Sequence, residues 1–294
     1  MRAGSCKQNN NYYTNMDNIK IYVDYTNSRI KIIRFDNISV ISIKRLIHFA
    51  SSQHLGKIIC NCEIEDIKNF VQAGFCLEGR IDGYFKGRDA FCMSYFLNNR
   101  RKICGDREKE NALLMKSLNI SDTFIYDSNN FKYHIRDAAG SDIKEMTELF
   151  SNVFFTYPSP VYDEEYLKQN MNKKVLYKVA VYNEKIIGIA SADMDKQNLN
   201  AEITDCATYS EYRGKGVLSN IIYFLESDLE NMGFITLYSL SRATNTGINF
   251  VLSKHGYMYR GRLINNCDIC GGFEDMNIWV KRLKASSIEA ACIK

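Results

Sequence analysis

Proline is almost absent from this chain of 294 residues: only Pro158 and Pro160 occur, and both fall in one short segment. Since proline interrupts helices and central strands, we expect continuous helices and strands elsewhere. The chain also lacks any long apolar run without a charge, and its N-terminal stretch has no apolar signal-peptide core. These absences predict a soluble, cytoplasmic protein without a membrane partner.

A clustered basic stripe is missing as well. The net charge is +4, and residues of both signs are interspersed along the chain. Because binding to a nucleic-acid backbone depends on concentrated positive charge, this pattern argues against a nucleic-acid partner.

Paired cysteines are scarce although the chain has ten cysteines. Only Cys60-x-Cys62 and Cys267-x-x-Cys270 lie close together in sequence, and no second Cys-x-x-Cys pair or adjacent histidine completes a zinc ligand set. We therefore expect reduced thiols and no metal site.

The second half of the chain follows a regular α/β pattern. A strand over "YHIRDA" precedes a helix predicted to begin at Ser141 as its N-cap. A hairpin turning at Asn183-Glu184, a strand over "NAEITDCAT", a helix ending at Gly233, a strand over "FITLYSLSR" and a short helix ending at Gly256 follow. We predict a domain over residues 131–284 and a tail over residues 285–294.

Residues 1–130 are predicted to form a separate N-terminal α/β domain. The runs "IKIYVD", "RIKIIRF" and "GKIICNCE" are typical of strands, and "SVISIKRLIHFASSQ" and "EDIKNFVQAGF" are typical of helices. The stretch that begins at Gly74-Phe75 aligns without a gap with the stretch that begins at Gly256-Tyr257. The first half is therefore either a degenerate copy of the second or has an independent Gly-aromatic turn of the same kind.

A basic, glycine-rich corner, "YRGKGV", lies between a predicted strand and a predicted helix. Free backbone N–H groups and the positive end of a helix dipole bind phosphate at such a corner, and Gly214 and Gly216 let a ligand approach the main chain. The spacing matches neither the nucleoside-triphosphate loop nor the dinucleotide fingerprint. The corner predicts a different phosphate carrier, unless it is a solvated turn.

The order of elements, the corner and the run from Asn245 to Tyr257 together resemble the GNAT superfamily of acyl-CoA-dependent N-acetyltransferases. The resemblance implies an α/β (α+β) fold, with a mixed, mostly antiparallel sheet flanked by helices. It implies that acetyl-CoA is the acetyl donor and that the corner holds its pyrophosphate. The implied cofactor-binding residues are Cys206, Ala207, Thr208, Arg213, Gly214, Lys215, Gly216, Val217, Leu218 and Asn245.

The chain departs from the family pattern at two positions. Leu218 stands where the corner motif ends in Gly or Ala, and Leu252 stands where the family often has a tyrosine that protonates the departing thiolate. A thiol has a pKa of about 8.5, so leaving it unprotonated at neutral pH costs only about 2 kcal/mol. The loss of the tyrosine is therefore tolerable.

A general base is more valuable to this reaction than a general acid. An alkyl ammonium has a pKa of about 10.4, so forming the free amine at neutral pH costs about 4 to 5 kcal/mol. Glu202 and Asp205 are the candidate catalytic residues, because several GNAT branches carry a base glutamate on the similar strand. Side chains alternate between the two faces of a strand, so Glu202 and Asp205 face opposite sides unless a bulge intervenes. Of the two, we favour Glu202 as the base.

The sequence favours direct acetyl transfer within a ternary complex. A backbone N–H near residues 206–208 would polarise the thioester carbonyl. Cys206 as an acylated nucleophile is the rival, but no adjacent histidine would activate its thiol.

Several strings, among them "TYPSPVYDEEYL" and "GRLINNCDICGGFEDMNIWVK", resemble the β-lysine N6-acetyltransferases in particular. The resemblance implies that the chain acetylates the side-chain amine of β-lysine to give a neutral compatible solute, with lysine 2,3-aminomutase as metabolic partner. An acceptor with two ammoniums and one carboxylate needs acidic and amide groups and one cation. The candidate substrate-binding residues are Asp163, Glu164, Arg262 (for the carboxylate), Asn265, Asn266, Glu274 and Asn277.

Other functions stay open from the sequence. One is an acetyltransferase for another small amine, such as a polyamine or an amino acid. Another is a non-catalytic module that senses acyl-CoA, and a protein-lysine acetyltransferase is a third.

Overall fold

Thirteen strands of the described residues form one mixed sheet that runs through both halves of the chain. The computed structural model describes residues 10–128, 132–155, 157–171, 173–269 and 271–283. The predicted tail over residues 285–294 and Cys270 lie outside these residues. Within them, no helix is long and apolar enough to cross a membrane.

The N-terminal half contributes six strands and three helices among these residues. In chain order they are β1 (Tyr12–Met16), β2 (Ile19–Asp24), β3 (Arg29–Phe35), α1 (Val40–Ser52), β4 (Lys57–Cys62), α2 (Ile67–Gln72), β5 (Cys76–Phe85), β6 (Arg88–Phe96) and α3 (Arg107–Leu118). The strands and helices predicted from the sequence are present. β1, β5 and α3 were not predicted; β1 is mostly exposed and α3 lacks an apolar face.

The C-terminal half contributes seven strands and four helices of the described chain. They are β7 (His134–Asp137), α4 (Ile143–Val153), α5 (Glu164–Met171), β8 (Val175–Tyr182), β9 (Lys185–Asp195), β10 (Asn200–Thr208), α6 (Val217–Asn231), β11 (Thr236–Arg242), α7 (Thr246–Lys254), β12 (Met258–Ile269) and β13 (Gly272–Arg282). The hairpin turns at Asn183 and Glu184 with φ of 49° and 62°, as a tight hairpin turn requires.

One helix start differs from the prediction. Ser141 does not cap α4, because it lies inside a short 3₁₀ turn over Gly140–Asp142, and the helix begins at Ile143. The carboxylate of Asp142 accepts the N–H of Ala139 at 2.7 Å and pairs with Arg136. Asp142 therefore anchors the turn that precedes the helix.

The strand order is β1-β2-β3-β4-β6-β5-β12-β13-β11-β10-β9-β8-β7. Only the β3–β4 and β10–β11 pairs are parallel among the described strands. The mixed, mostly antiparallel sheet flanked by helices is thus confirmed.

The two halves of the sheet share one arrangement. β1 to β6 are ordered 1-2-3-4-6-5, and β8 to β13 are ordered 8-9-10-11-13-12, with the parallel pair at the same place in each. β5 meets β12 where Gly79 pairs with Gly261, and each glycine follows a register shift at the corresponding place of its strand. The sheet continues from one half to the other through β5 and β12. The division into two domains and the internal repeat stay predictions.

Buried polar contacts join the halves beside this crossing. The Lys57 ammonium lies 2.7 Å from the Glu78 carboxylate, and both side chains are buried. Lys57 donates to the carbonyl of Ile264 at 2.8 Å, and the N–H of Ile264 donates to Glu78 at 2.7 Å. Arg29 donates to the carbonyl of Asn266 at 2.6 Å. These contacts fix the two halves against each other around the space between them.

Candidate active site

A gap opens between the neighbouring strands β10 and β11. The two strands pair over only three residues, the last pair being Glu202 with Tyr238, and they diverge beyond it. The Ser239 hydroxyl bridges to the carbonyl of Ile203 at 2.8 Å at the start of the gap. Beyond Ile203, backbone groups on this side of β10 therefore have no strand partner in β11 and can bind a ligand.

The gap leads into a cavity of about 590 Å³ that both halves of the chain line. This volume is in the range of small-molecule sites. The C-terminal half contributes Glu202, Asp205 and Tyr157, and the N-terminal half contributes Lys31 and Tyr84.

A β-bulge brings both predicted catalytic carboxylates to this cavity. The pairing of β10 with β9 shifts between Thr204 and Ala207, and Asp205 has a φ of 47°. A bulge changes which side of the strand the following residues face. Glu202 and Asp205 consequently both line the cavity, although strict alternation would separate them.

Glu202 has the properties of a base that works near neutral pH. Burial raises the pKa of its carboxyl from 4.5 to about 7, and the nearby Lys31 ammonium opposes that rise. The Tyr238 hydroxyl donates to the Glu202 carboxylate at 3.3 Å. A general base is most effective when its pKa lies near the working pH.

Asp205 is held more firmly by its neighbours. The Ser191 hydroxyl donates to the Asp205 carboxylate at 2.8 Å, and the Tyr157 hydroxyl also donates to it. Burial raises the pKa of Asp205 from 3.8 to about 6, and these two hydrogen bonds limit the rise. Asp205 is therefore more suited to orienting a cation than to exchanging protons at neutral pH.

The thiol of Cys206 is in an unreactive state. Burial, followed by the nearby Asp205 carboxylate, raises the pKa of Cys206 well above its ordinary value. Since the thiolate is the nucleophilic form, this environment disfavours an acyl-cysteine intermediate.

The glycine-rich corner is open to solvent and ends at the start of α6. Gly214 and Gly216 have φ of 74° and 77°, and a Cβ on Gly214 would contact nothing within 4 Å. Among the described residues, the N–H groups of residues 214–219 have no hydrogen-bond acceptor. Such a row of free N–H groups at a helix start fits a pyrophosphate.

The other predicted cofactor residues surround the gap. Cys206, Ala207 and Thr208 form the end of β10, and the Arg213 side chain donates to the Thr208 carbonyl at 3.1 Å. Arg213 and Lys215 are exposed beside the corner, Val217 is buried and Leu218 is half-buried. Asn245 caps α7 and lines the cavity. Leu252 is fully buried in the core.

Most of the predicted substrate residues lie away from the cavity. Arg262 forms a salt bridge with Glu110 of α3 at 3.0 Å and donates to Asn277 at 2.9 Å. Asn277 also donates to Asn249, and the Asn265 amide binds backbone carbonyls of residues 101 and 103.

Three of the remaining four candidates also lie outside the cavity. Asp163 accepts backbone N–H groups at the start of α5, and Glu164 lines a separate shallow pocket. Glu274 accepts from Thr244 at 3.1 Å. Asn266 does line the cavity. The structure thus brings Glu202, Asp205, Cys206, Asn245 and Asn266 together at one cavity.

Sequence reasoning missed Lys31, Tyr157 and Tyr238 as cavity residues. One signal was available for the lysine. In "RIKIIRF", Arg29 and Lys31 are two residues apart, so both charges lie on one face of a strand that is otherwise largely apolar. A charge that faces a core is typically paired or functional.

Comparisons with known proteins agree with this geometry. The model of the acetyltransferase (GNAT) family matches residues 143–257. N-acetyltransferase YodP of Bacillus subtilis is 33% identical over 260 residues, which cover 88% of this chain and 94% of that protein.

Two archaeal relatives carry a more specific name. The beta-lysine N(6)-acetyltransferase of Methanosarcina mazei is 35% identical over 254 residues, covering 80% of this chain and 94% of that protein. The beta-lysine N(6)-acetyltransferase of Methanococcus maripaludis is 31% identical over 263 residues, covering 89% of this chain and 95% of that protein. The chain therefore belongs to the acetyltransferase (GNAT) family and is an N-acetyltransferase with acetyl-CoA as its acetyl donor.

Proposed function

We propose that this enzyme acetylates the side-chain amine of β-lysine directly, with Glu202 as the general base. The observation that carries the proposal is a buried carboxylate with a pKa of about 7 beside the gap between β10 and β11. The relatives named beta-lysine N(6)-acetyltransferase support the choice of acceptor. A neutral compatible solute as product, lysine 2,3-aminomutase as metabolic partner and a cytoplasmic location belong to the same proposal.

The proton balance supports Glu202 in this role. The acceptor arrives as an ammonium with a pKa of about 10.4, and it must lose a proton before its nitrogen can attack a carbonyl. Glu202, with a pKa of about 7, is substantially ionised at neutral pH and can accept that proton. Carboxylates with an ordinary pKa of about 4.3 would be weaker bases.

The corner and the strand ends account for the donor side. Acetyl-CoA supplies the acetyl group as a thioester. The free N–H groups of residues 214–219 would hold its pyrophosphate, and unpaired backbone groups at the end of β10 would orient its arm in the gap. A backbone N–H within residues 206–208 would polarise the thioester carbonyl.

Acidic groups of the cavity account for an acceptor with more than one positive charge. Glu202 and Asp205 line the cavity together with Asp193, whose carboxylate is also paired with Lys174 at 2.8 Å. With Glu202 as the base for the reacting amine, Asp205 would bind the second ammonium.

The test is release of free coenzyme A from acetyl-CoA by the purified protein. β-Lysine, α-lysine, spermidine and a blank without acceptor are run in parallel for the wild type, Glu202→Gln and a control, Glu65→Gln. Glu65 is exposed and lies outside the cavity. We expect turnover selective for β-lysine, a decrease in kcat of about 10²- to 10⁴-fold in Glu202→Gln, and no change in the control.

The other outcomes identify the alternatives. Turnover selective for spermidine or α-lysine would place the enzyme on another small amine. Saturable binding of acetyl-CoA without acceptor-dependent release would favour a sensing module. Full activity in Glu202→Gln would reject Glu202 as the base.

A further inference from the structure

Lys31 occupies, in the N-terminal half, the place that Glu202 occupies in the C-terminal half. Lys31 of β3 pairs with Ile59 of β4, which in turn pairs with Ser94 of β6. In the other half, Glu202 of β10 pairs with Tyr238 of β11, which pairs with Val280 of β13.

The next strand shows that these positions correspond. Ser94 pairs with Cys76 and Val280 pairs with Met258, and each of those residues lies three positions before the glycine of the crossing. Counted from the crossing, Lys31 and Glu202 therefore occupy equivalent positions in the two similar halves of the sheet. Both line the cavity of about 590 Å³ described above.

The ammonium of Lys31 has no partner within the described part of the chain. No hydrogen bond or salt bridge joins it to another described side chain or to the described backbone, although the residue is half-buried and lines the cavity. The adjacent Arg29 and burial lower the pKa of Lys31, while Glu202 opposes that shift. An ammonium that is partly removed from water and has no partner favours an anion beside it, so an anion is expected to complete this site.

Other cations that line the cavity are engaged or lie elsewhere. Arg29 is paired with Asp24 at 2.9 Å and donates to the Asn266 carbonyl, and Lys174 is paired with Asp193. Arg242 lies four residues beyond Tyr238 on β11, or roughly 13 Å along the strand, toward Asn245 and the donor side.

We propose that Lys31 binds the carboxylate of the acceptor, an inference that rests on the proposed acetyl transfer. The acceptor is therefore an amino acid with a side-chain amine. The cavity then has a cation on the N-terminal half and carboxylates on the C-terminal half. An acceptor with a carboxylate at one end and an ammonium at the other is complementary to both. A polyamine would leave the Lys31 ammonium unpaired and add a like charge beside it.

The experiment compares β-lysine with its carboxamide, which has the same shape without the negative charge. For the wild type we expect kcat/KM to be about 10- to 100-fold lower with the carboxamide, mainly through KM, as for loss of a charged hydrogen bond. At a pH above the inflection, where Glu202 is ionised in both proteins, Lys31→Met should reduce kcat/KM for β-lysine to about the level of the carboxamide and should remove most of the preference between the two acceptors. Lys31→Arg should keep part of the preference.

Three results would overturn the inference. The wild type could have the same kcat/KM with β-lysine and with its carboxamide. The preference for β-lysine could be lost in Arg242→Met and kept in Lys31→Met. Lys31→Met could also lower kcat/KM equally with both acceptors. Equal losses with an upward shift of the pH profile would show that Lys31 only adjusts the pKa of Glu202.

Binding measurements separate this inference from the proposed function. If the wild type acetylates neither acceptor, the proposed function fails, and calorimetric binding of β-lysine against the carboxamide, in the presence of coenzyme A, still tests the anchor. Equal affinities would reject it. Melting curves and acetyl-CoA binding of Lys31→Met report whether that variant folds, and the wild-type comparison does not depend on it.

Discussion

At the scale of residues, burial governs the chemistry of Glu202. A carboxyl group that loses water without gaining a full counter-charge holds its proton more strongly, and the pKa of Glu202 accordingly rises to about 7. The same burial makes Cys206 unreactive. One physical cause thus favours direct transfer with a carboxylate base and disfavours a covalent cysteine intermediate.

The pH dependence of the rate follows from this pKa. Glu202 must be ionised to accept a proton, so activity should be present above about pH 7 and be lost as the pH falls through that value. We expect kcat/KM for the acceptor to fall about tenfold for each unit below pH 6. Rates of coenzyme A release from pH 5 to 9 measure this.

Asp205→Asn is the matched variant for that profile. The negative charge of Asp205 raises the pKa of Glu202, and this variant removes that charge. The inflection should therefore persist and move slightly to lower pH. An inflection that disappears in Asp205→Asn would instead assign the base to Asp205.

Residues predicted from a local pattern lie near one another in the structure, whereas residues chosen singly have partners from distant segments. The spacing of Glu202, Asp205 and the corner is local, and all of them border the gap or the cavity. Arg262 was chosen for its charge alone, but α3, which is some 150 residues away, supplies its partner Glu110 at 3.0 Å. No local pattern reports such a partner.

At the scale of elements, the bulge in β10 and the crossing of β5 with β12 shape the site. The bulge brings the second carboxylate to the cavity, and the crossing brings the N-terminal half against it. Period-two patterns predicted β10 itself, but a bulge leaves no clear mark in the sequence. That is why Glu202 and Asp205 were expected on opposite faces.

The crossing should not tolerate a side chain. Gly261 has a φ of 144°, and a Cβ there would overlap the Glu78 carbonyl oxygen and the Gly79 Cα. Gly261→Ala should therefore lower the free energy of unfolding by about 3 kcal/mol or more, since neither backbone can move away easily. Urea unfolding checks this.

Gly140→Ala is the control for the crossing. A Cβ on Gly140 meets nothing within 4 Å, and its φ is not in the left-handed region, so the change should be within about 0.5 kcal/mol. Equal stability of Gly261→Ala and Gly140→Ala would contradict the close approach of the two halves.

At the scale of the whole molecule, the two halves depend on each other. The GNAT family match covers residues 143–257, yet the cavity also takes residues from β3 to β6. Lys57, Glu78 and Arg29 satisfy backbone groups of β12 that would otherwise lose their partners. Mixed α/β patterning predicted the elements of the first half, whereas its place in a continuous sheet depends on pairing between strands far apart in sequence.

A fragment of residues 131–284 should therefore be inactive. Without the N-terminal half, the edge of β12 and the wall of the cavity are exposed, and buried polar groups lose their hydrogen bonds. We expect no cooperative thermal transition and no acceptor-dependent release of coenzyme A. A fragment that melts cooperatively and turns over β-lysine at the rate of the full chain would show that the halves are independent.

The most direct test of acetyl transfer to the side-chain amine of β-lysine is identification of the product by mass spectrometry and NMR. The purified protein is incubated with acetyl-CoA and β-lysine, and the acetylated nitrogen is assigned. We expect one acetyl group on the side-chain (N6) amine, formed in equal amount with free coenzyme A, and formed more slowly with Glu202→Gln in proportion to its lower kcat. Acetylation of the other amine, or no product above the blank without enzyme, would contradict this expectation.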